Sequence, residues 1–129
     1  MKEHLQFNFN AYRVSVSEAE IKEFIKKSGL FKKANGKELL NKISLKSGLL
    51  KLRLNKSKID SYIASFISSF LAEKLLETKQ SFCFETVMSH YSKIDLLKTA
   101  HQTGYKTYLY FVFTDNYKLN EARIKLRVK

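Results

Sequence analysis

The chain has 129 residues, 44% hydrophobic and 13% aromatic, which suits one domain with a single core and excludes a globally disordered chain. Its one cysteine, Cys83, excludes an internal disulfide and a multi-cysteine zinc site, and we expect a cytoplasmic protein without a secretion signal or membrane span. The formal net charge is +12, and residues 22–58 carry most of it, with twelve Lys or Arg against two Glu.

This basic segment has two interpretations. It can bind nucleic acid or another acidic partner, because cationic side chains release counterions from a polyanion. Its basic residues are mostly lysines, however, and no regular aromatic residues lie between them to stack on bases. The composition therefore favours a solvated lysine-rich surface over a nucleic-acid groove.

The first predicted elements are short. Residues 12–16 can form a strand. Ser17 and Glu20 then form a capping-box pattern, which predicts a helix over residues 18–27 that ends near Gly29. Three further elements are expected in order: a turn at 33–36, a helix near 38–43 and a strand at 49–54.

The strongest periodic pattern lies in residues 59–75, where apolar side chains recur at steps of three and four. This spacing predicts a long helix with a broad apolar face whose role is packing. Asn55 or Ser57 is expected to cap its start, and the serines of the segment fall outside the apolar stripe.

The last part of the chain has the pattern of a βαβ unit. Residues 82–84 and 107–113 are apolar, aromatic-rich runs, and a helix is predicted between them over residues 92–102, closed by Gly104. A final helix is expected from residue 117, capped by one of residues 114–116. The predicted fold class is therefore α/β with a parallel sheet.

Polar side chains follow the first of these predicted strands. Ligands bind beyond the carboxyl ends of parallel strands, which makes Glu85, Thr86 and His90 candidate substrate-binding residues. Glu85 can instead cap the next helix or pair with a lysine, and His90 can simply be solvated. Thr86 and Ser89 can equally be local caps of the helix that begins near Ser92.

Two arginines of the last predicted helix form a second candidate group. Arg123 and Arg127 are four residues apart, hence on one helical face, and guanidinium groups suit phosphate oxygens. They can also be a surface pair beside Glu121. The sequence has no GxxxxGK[ST] phosphate loop, no metalloprotease motif and no metal-ligand cluster.

Four stretches together resemble the second half of zeta-toxin-like P-loop kinases, the group that includes bacterial UDP-N-acetylglucosamine kinases. They are Ser-Phe-Cys-Phe-Glu-Thr-Val-Met-Ser-His at 81–90, Lys-Ile-Asp-Leu-Leu-Lys at 93–98, Gly-Tyr-Lys-Thr-Tyr-Leu-Tyr-Phe-Val at 104–112 and Asn-Glu-Ala-Arg-Ile-Lys-Leu-Arg-Val at 120–128. The match is close over residues 57–129, while residues 1–56 form a basic, poorly matched region.

The resemblance implies a truncated kinase domain, a partial P-loop-type parallel sheet without its first strand, phosphate loop and lid. Glu85 and Thr86 would then bind substrate, a UDP-sugar in the family, and Arg123 and Arg127 would approach the transferred phosphate. The family uses ATP and Mg²⁺, but we expect this chain alone to bind neither and to be inactive. The expected partners are a second polypeptide that carries the phosphate loop, or an antitoxin.

Overall fold

The computed structural model describes residues 5–54, 60–88 and 91–128. The chain forms two compact units, Met1–Val87 and Met88–Lys129, and each is described by itself. Over the described residues the fold is mixed α/β, with five α-helices and one three-stranded antiparallel sheet. The sequence predicts one domain that consists of a poorly matched region, 1–56, and a matched region, 57–129. This division stays a prediction.

The first unit holds the sheet and three of the helices. Its elements are β1 (Leu5–Asn8), α1 (Glu18–Lys27), α2 (Gly36–Lys42), β2 (Ile43–Lys46), β3 (Leu49–Leu52) and α3 (Ser61–Glu77). A short 3-10 helical turn, Phe9–Tyr12, follows β1 directly. The second unit holds α4 (Ser92–Gln102) and α5 (Tyr117–Arg127).

The sheet has the order β1-β3-β2, so β3 is the central strand. Because opposed residues of an antiparallel ladder share a face, the register places six apolar side chains on one face. These side chains form two cross-strand rows, Leu5–Leu52–Ile43 and Phe7–Leu50–Leu45. Leu50 and Leu52 of the central strand are fully buried, so this face lies on the core.

Strands β2 and β3 form a hairpin whose two-residue turn is Ser47-Gly48. Both turn residues have positive φ, 50° and 75°, as the tight type I′ turn requires. The turn is tied to the 3-10 helical turn: the amide of Phe9 donates to the Gly48 carbonyl (2.9 Å), and the Asn10 side chain donates to the Ser47 carbonyl (2.8 Å). These two bonds fix the hairpin against the segment that follows β1.

Helices α1 and α3 supply the rest of the core of this unit. The Ser17–Glu20 capping box is present and α1 has the predicted bounds, so that prediction is confirmed. Phe70 of α3 packs edge-on against Phe9 and Phe24, with ring centroids 5.6 and 5.4 Å apart. Such aromatic pairs add about 0.5–1.5 kcal/mol each beyond their buried area.

Lys74 of α3 connects α3 to α1 through a partly buried ion pair. Its ammonium group lies 2.6 Å from Glu20 of α1 and 2.8 Å from Glu77, and its side chain is only 12% exposed. Burial alone would lower the pKa of Lys74, but the hydrogen bonds with Glu20 and Glu77 outweigh it and raise the pKa. Hydrogen bonds from Lys74 and Ser17 in turn lower the pKa of Glu20 to about 2.

Two predictions about the first unit are corrected. Residues 12–16 are not a strand, because Tyr12 ends the 3-10 helical turn and Arg13 takes a left-handed backbone (φ 54°). Asp60, rather than a residue before it, caps α3, since its carboxylate accepts the amides of Tyr62 and Ile63 at 3.0 Å. The expected caps Asn55 and Ser57 lie outside the described residues.

The prediction of two strands in a βαβ unit is also corrected. Residues 82–84 and 107–113 form no strand, and the described sheet is antiparallel, with β1 and β2 at its edges. A strand requires a neighbour for its backbone hydrogen bonds, and residues 107–113 have none among the described residues. Phe82 is only half-buried and packs on the core of the first unit, while residues 108–113 are exposed.

The helices of the second unit agree with the sequence. Helix α4 has the predicted bounds and is closed by Gly104, whose φ of 91° lets the Tyr105 amide reach the Ala100 carbonyl (3.0 Å). Asn116 caps α5 by accepting the amide of Lys118 (3.1 Å). These predictions are confirmed. They succeed because the signals that begin and end a helix are local in sequence.

Replacing Gly48 with alanine is expected to lower the free energy of unfolding by about 1–3 kcal/mol, since alanine is strained at positive φ. A Cβ there would also lie 2.2 Å from the Asn10 Oδ1 atom. The matched control is Gly29→Ala, where a Cβ meets nothing within 4 Å. Urea unfolding of both variants tests this, and equal losses would contradict the account of the turn.

Glu20→Gln is expected to destabilise the protein by up to about 1 kcal/mol near neutral pH, because it weakens the bond to Lys74 while an amide still suits the capping box. The folded-state pKa of about 2 lies below the ordinary 4.5, so the carboxylate stabilises the fold above pH 4.5. That contribution is lost as the pH falls towards 2.

Thermal melts of Glu20→Gln and the parent chain from pH 7 to pH 2 should therefore converge on acidification. The matched control is Glu23→Gln on the same helix, whose pair with Lys27 is highly exposed and should matter little. A gap between Glu20→Gln and the parent that stays constant to pH 2 would contradict the role given to this carboxylate.

Candidate functional site

Two of the three predicted substrate-binding residues, Glu85 and Thr86, lie in the first unit, after α3. Glu85 and Thr86 are both exposed, in a segment with neither helix nor strand. The expected placement of Glu85 at the end of a buried strand is therefore wrong, because residues 82–84 are not a strand. His90 lies outside the described residues, so its predicted role stays a prediction.

The predicted phosphate-binding residues lie in the second unit. Arg123 and Arg127 are on α5, one turn apart on one face, and both are exposed. Neither forms a salt bridge with a carboxylate in the part of the chain that the structure describes. Both guanidinium groups are thus accessible to an anion. The expected shared helical face is confirmed, and the phosphate-binding role stays a prediction.

A cationic surface that the sequence reading missed lies on the outer face of the β2–β3 hairpin. The ladder places Ser44 opposite Lys51 and Lys46 opposite Leu49 on the face away from the core. It continues by one more residue pair, because the Arg53 amide donates to the Lys42 carbonyl (2.9 Å). We call Lys42, Lys46, Lys51 and Arg53 the cationic hairpin face.

All four side chains of this face are exposed, whereas the alternate positions Leu50 and Leu52 are buried. None of the four cations pairs with a carboxylate among residues 5–54, 60–88 and 91–128. Lys42 and Arg53 are directly opposed, and like charges in opposed positions repel each other. A bound anion would relieve that repulsion, so this face favours anionic ligands.

The carboxylates of α1 are already occupied elsewhere. Glu18 accepts from Lys22 and also from the amide of Leu45 on the edge strand β2 (2.9 Å). The Lys22 bond and then the Leu45 amide lower the pKa of Glu18. Glu23 pairs with Lys27 at 2.6 Å, which lowers the pKa of Glu23 and raises that of Lys27.

A local sequence signal marks this face. Apart from Leu49, residues 42–54 alternate between apolar residues and Lys, Ser or Arg on both sides of Ser47-Gly48, which is the pattern of a hairpin with one polar face. The predicted second helix, near 38–43, includes Ile43 and so hides the start of this hairpin pattern. The helix in fact ends at Lys42, and Ile43 begins the strand.

The described residues offer no obvious metal centre. No group of three or more His, Cys, Asp or Glu side chains among them is placed to hold a metal ion. Cys83 is exposed and forms no disulfide. The exposed side chains of the cationic hairpin face supply fixed positive charge and hydrogen-bond donors.

Comparisons with known proteins identify no relative. No protein-family model, curated protein or solved structure matches the chain. In the described part of the chain, the helices all fall short of the length and apolar character needed to cross a bilayer.

Proposed function

We propose that the chain binds the phosphate backbone of nucleic acid, without sequence preference, through the cationic hairpin face. The observation that carries the proposal is the grouping of four exposed cations on one face of the hairpin, with no described carboxylate partner. Phosphate contacts by Lys and Arg position a nucleic acid but carry no sequence information.

The surroundings of this face support the same ligand. Other exposed lysines add positive charge to the first unit: Lys26, Lys32, Lys33 and Lys37. The Ser44 hydroxyl lies between Lys42 and Lys46 along the same strand edge and can donate to a phosphate oxygen. Lysine-rich surfaces of this kind also attract polyanions over distances of about 10 Å at 0.1 M ionic strength, and further at lower salt.

Counterion release gives the proposal a quantitative test. If four cations contact phosphates, the plot of log affinity against log salt should have a slope of about −3 to −4. Fluorescence anisotropy with a labelled mixed-sequence oligonucleotide measures it. Lys46→Gln with Lys51→Gln should make the slope shallower by about 1.5, because two phosphate contacts are lost.

The matched control for that double variant is Lys98→Gln with Lys118→Gln, which removes two exposed charges from the second unit. It should leave the slope unchanged. Affinity that ignores salt, or equal effects of the two double variants, would contradict the proposal. Tighter binding to an acidic polypeptide than to the oligonucleotide would instead identify an acidic protein as the partner.

A second candidate function is the zeta-toxin-like kinase fragment. It is favoured by the position of α4, which fills the interval expected between two strands of a P-loop-type sheet. In this proposal residues 82–84 and 107–113 become parallel strands when a second polypeptide supplies the phosphate loop with ATP and Mg²⁺. Glu85 and Thr86 would then bind a UDP-sugar, and Arg123 and Arg127 the phosphate, with an antitoxin as a further partner.

This second candidate is tested in the coding DNA and by calorimetry. It expects a GxxxxGK[ST] motif encoded next to this chain, and no ATP binding by the chain alone at millimolar nucleotide. Unrelated neighbouring sequence, or ATP binding by the chain alone, would contradict it.

A further inference from the structure

The second unit displays an unusual apolar segment between α4 and α5, at residues 108–113. Its six consecutive side chains are all apolar or aromatic, and they are 67–91% exposed. The rings of Phe111 and Phe113, two residues apart, lie side by side with centroids 6.2 Å apart, as in an extended chain. The segment contains no glycine or proline and is rich in strand-forming residues.

The backbone of this segment is also without a partner in the described chain. From residue 106 to residue 113, no amide or carbonyl forms a hydrogen bond with another described residue. An exposed apolar strand with unpaired backbone groups is a template for another strand. Both its side chains and its backbone therefore favour β-pairing.

We propose that residues 107–113 pair with the same segment of a second copy of the chain, as an antiparallel two-stranded ribbon at a two-fold axis. The segment carries no charge, so the copies meet without local repulsion although the whole chain is basic. A two-fold contact uses the same surface of both partners, which a uniformly apolar strand satisfies without a separate complementary pocket.

The symmetry fixes the register. Opposed residues of an antiparallel ribbon point to the same face, and a two-fold axis perpendicular to the ribbon preserves that face. Pairing the whole segment with itself then puts Tyr110 opposite Tyr110 of the second copy. The flanking pairs are Leu109 with Phe111 and Tyr108 with Val112, which are the aromatic and branched pairs that stabilise sheets.

The area on offer matches what a dimer needs. A fully buried aromatic side chain covers about 150–250 Å², so the four aromatic residues of the segment set an upper limit of roughly 600–1,000 Å² per copy. A standard interface buries about 800 Å² per partner. This interaction uses the second unit, whereas the cationic hairpin face belongs to the first.

Sedimentation of the full chain from 1 to 100 μM tests the proposal, in a Cys83→Ser background that prevents adventitious disulfides. We expect a dimer, and Phe111→Lys should raise its dissociation constant at least tenfold. Leu126→Lys, an equally drastic change at an exposed apolar residue of α5, should leave the dimer intact. Circular dichroism checks that both variants keep their helices.

The register is tested with Tyr110→Cys in the same background. Mild oxidation should join two copies through this cysteine, whereas Val112→Cys should cross-link much less, because it does not face itself. A monomer at 100 μM, an open polymer, or a dimer that survives Phe111→Lys would each overturn the proposal. A stable dimer with no oligonucleotide binding would contradict only the proposed function.

Discussion

The alternation of side chains along the β2–β3 hairpin is the constraint on which the first unit depends. One set of positions, which includes Leu50 and Leu52, lies on the core, and burying each such leucine contributes about 1.5–3 kcal/mol. The other set includes Lys51 and Arg53, which must then face solvent. A shift of the register by one residue would exchange the two sets, so the apolar core and the cationic face are fixed together.

Electrostatic contacts of α1 support this arrangement in two ways. Glu18 accepts the outward amide of Leu45, which covers part of the edge of β2 and holds α1 against the sheet. Glu20 is held by Lys74 of α3. These two carboxylates bind Lys22, the Leu45 amide and Lys74, and not the cations of the hairpin face. The positive charge of that face therefore remains available to a ligand.

Much of the helical structure could be predicted from sequence because its signals are local. The Ser17–Glu20 capping box and Gly104 each act within one turn of a helix. Strand pairing is not local. Residues 107–113 have a strand composition but no described neighbour, while Leu5–Asn8 has a modest composition and pairs with β3 across the sequence. The cationic hairpin face was missed for the same reason, since it exists only once β2 pairs with β3.

The central claim, that the cationic hairpin face binds nucleic-acid phosphates, is tested most directly by nuclear magnetic resonance. The ¹⁵N-labelled chain would be titrated at low salt with a mixed-sequence oligonucleotide. The account predicts that the largest amide shifts occur at Ser44, Lys46 and Lys51 and reverse when salt is added. Shifts confined to residues 91–128, with the hairpin unchanged, would contradict it.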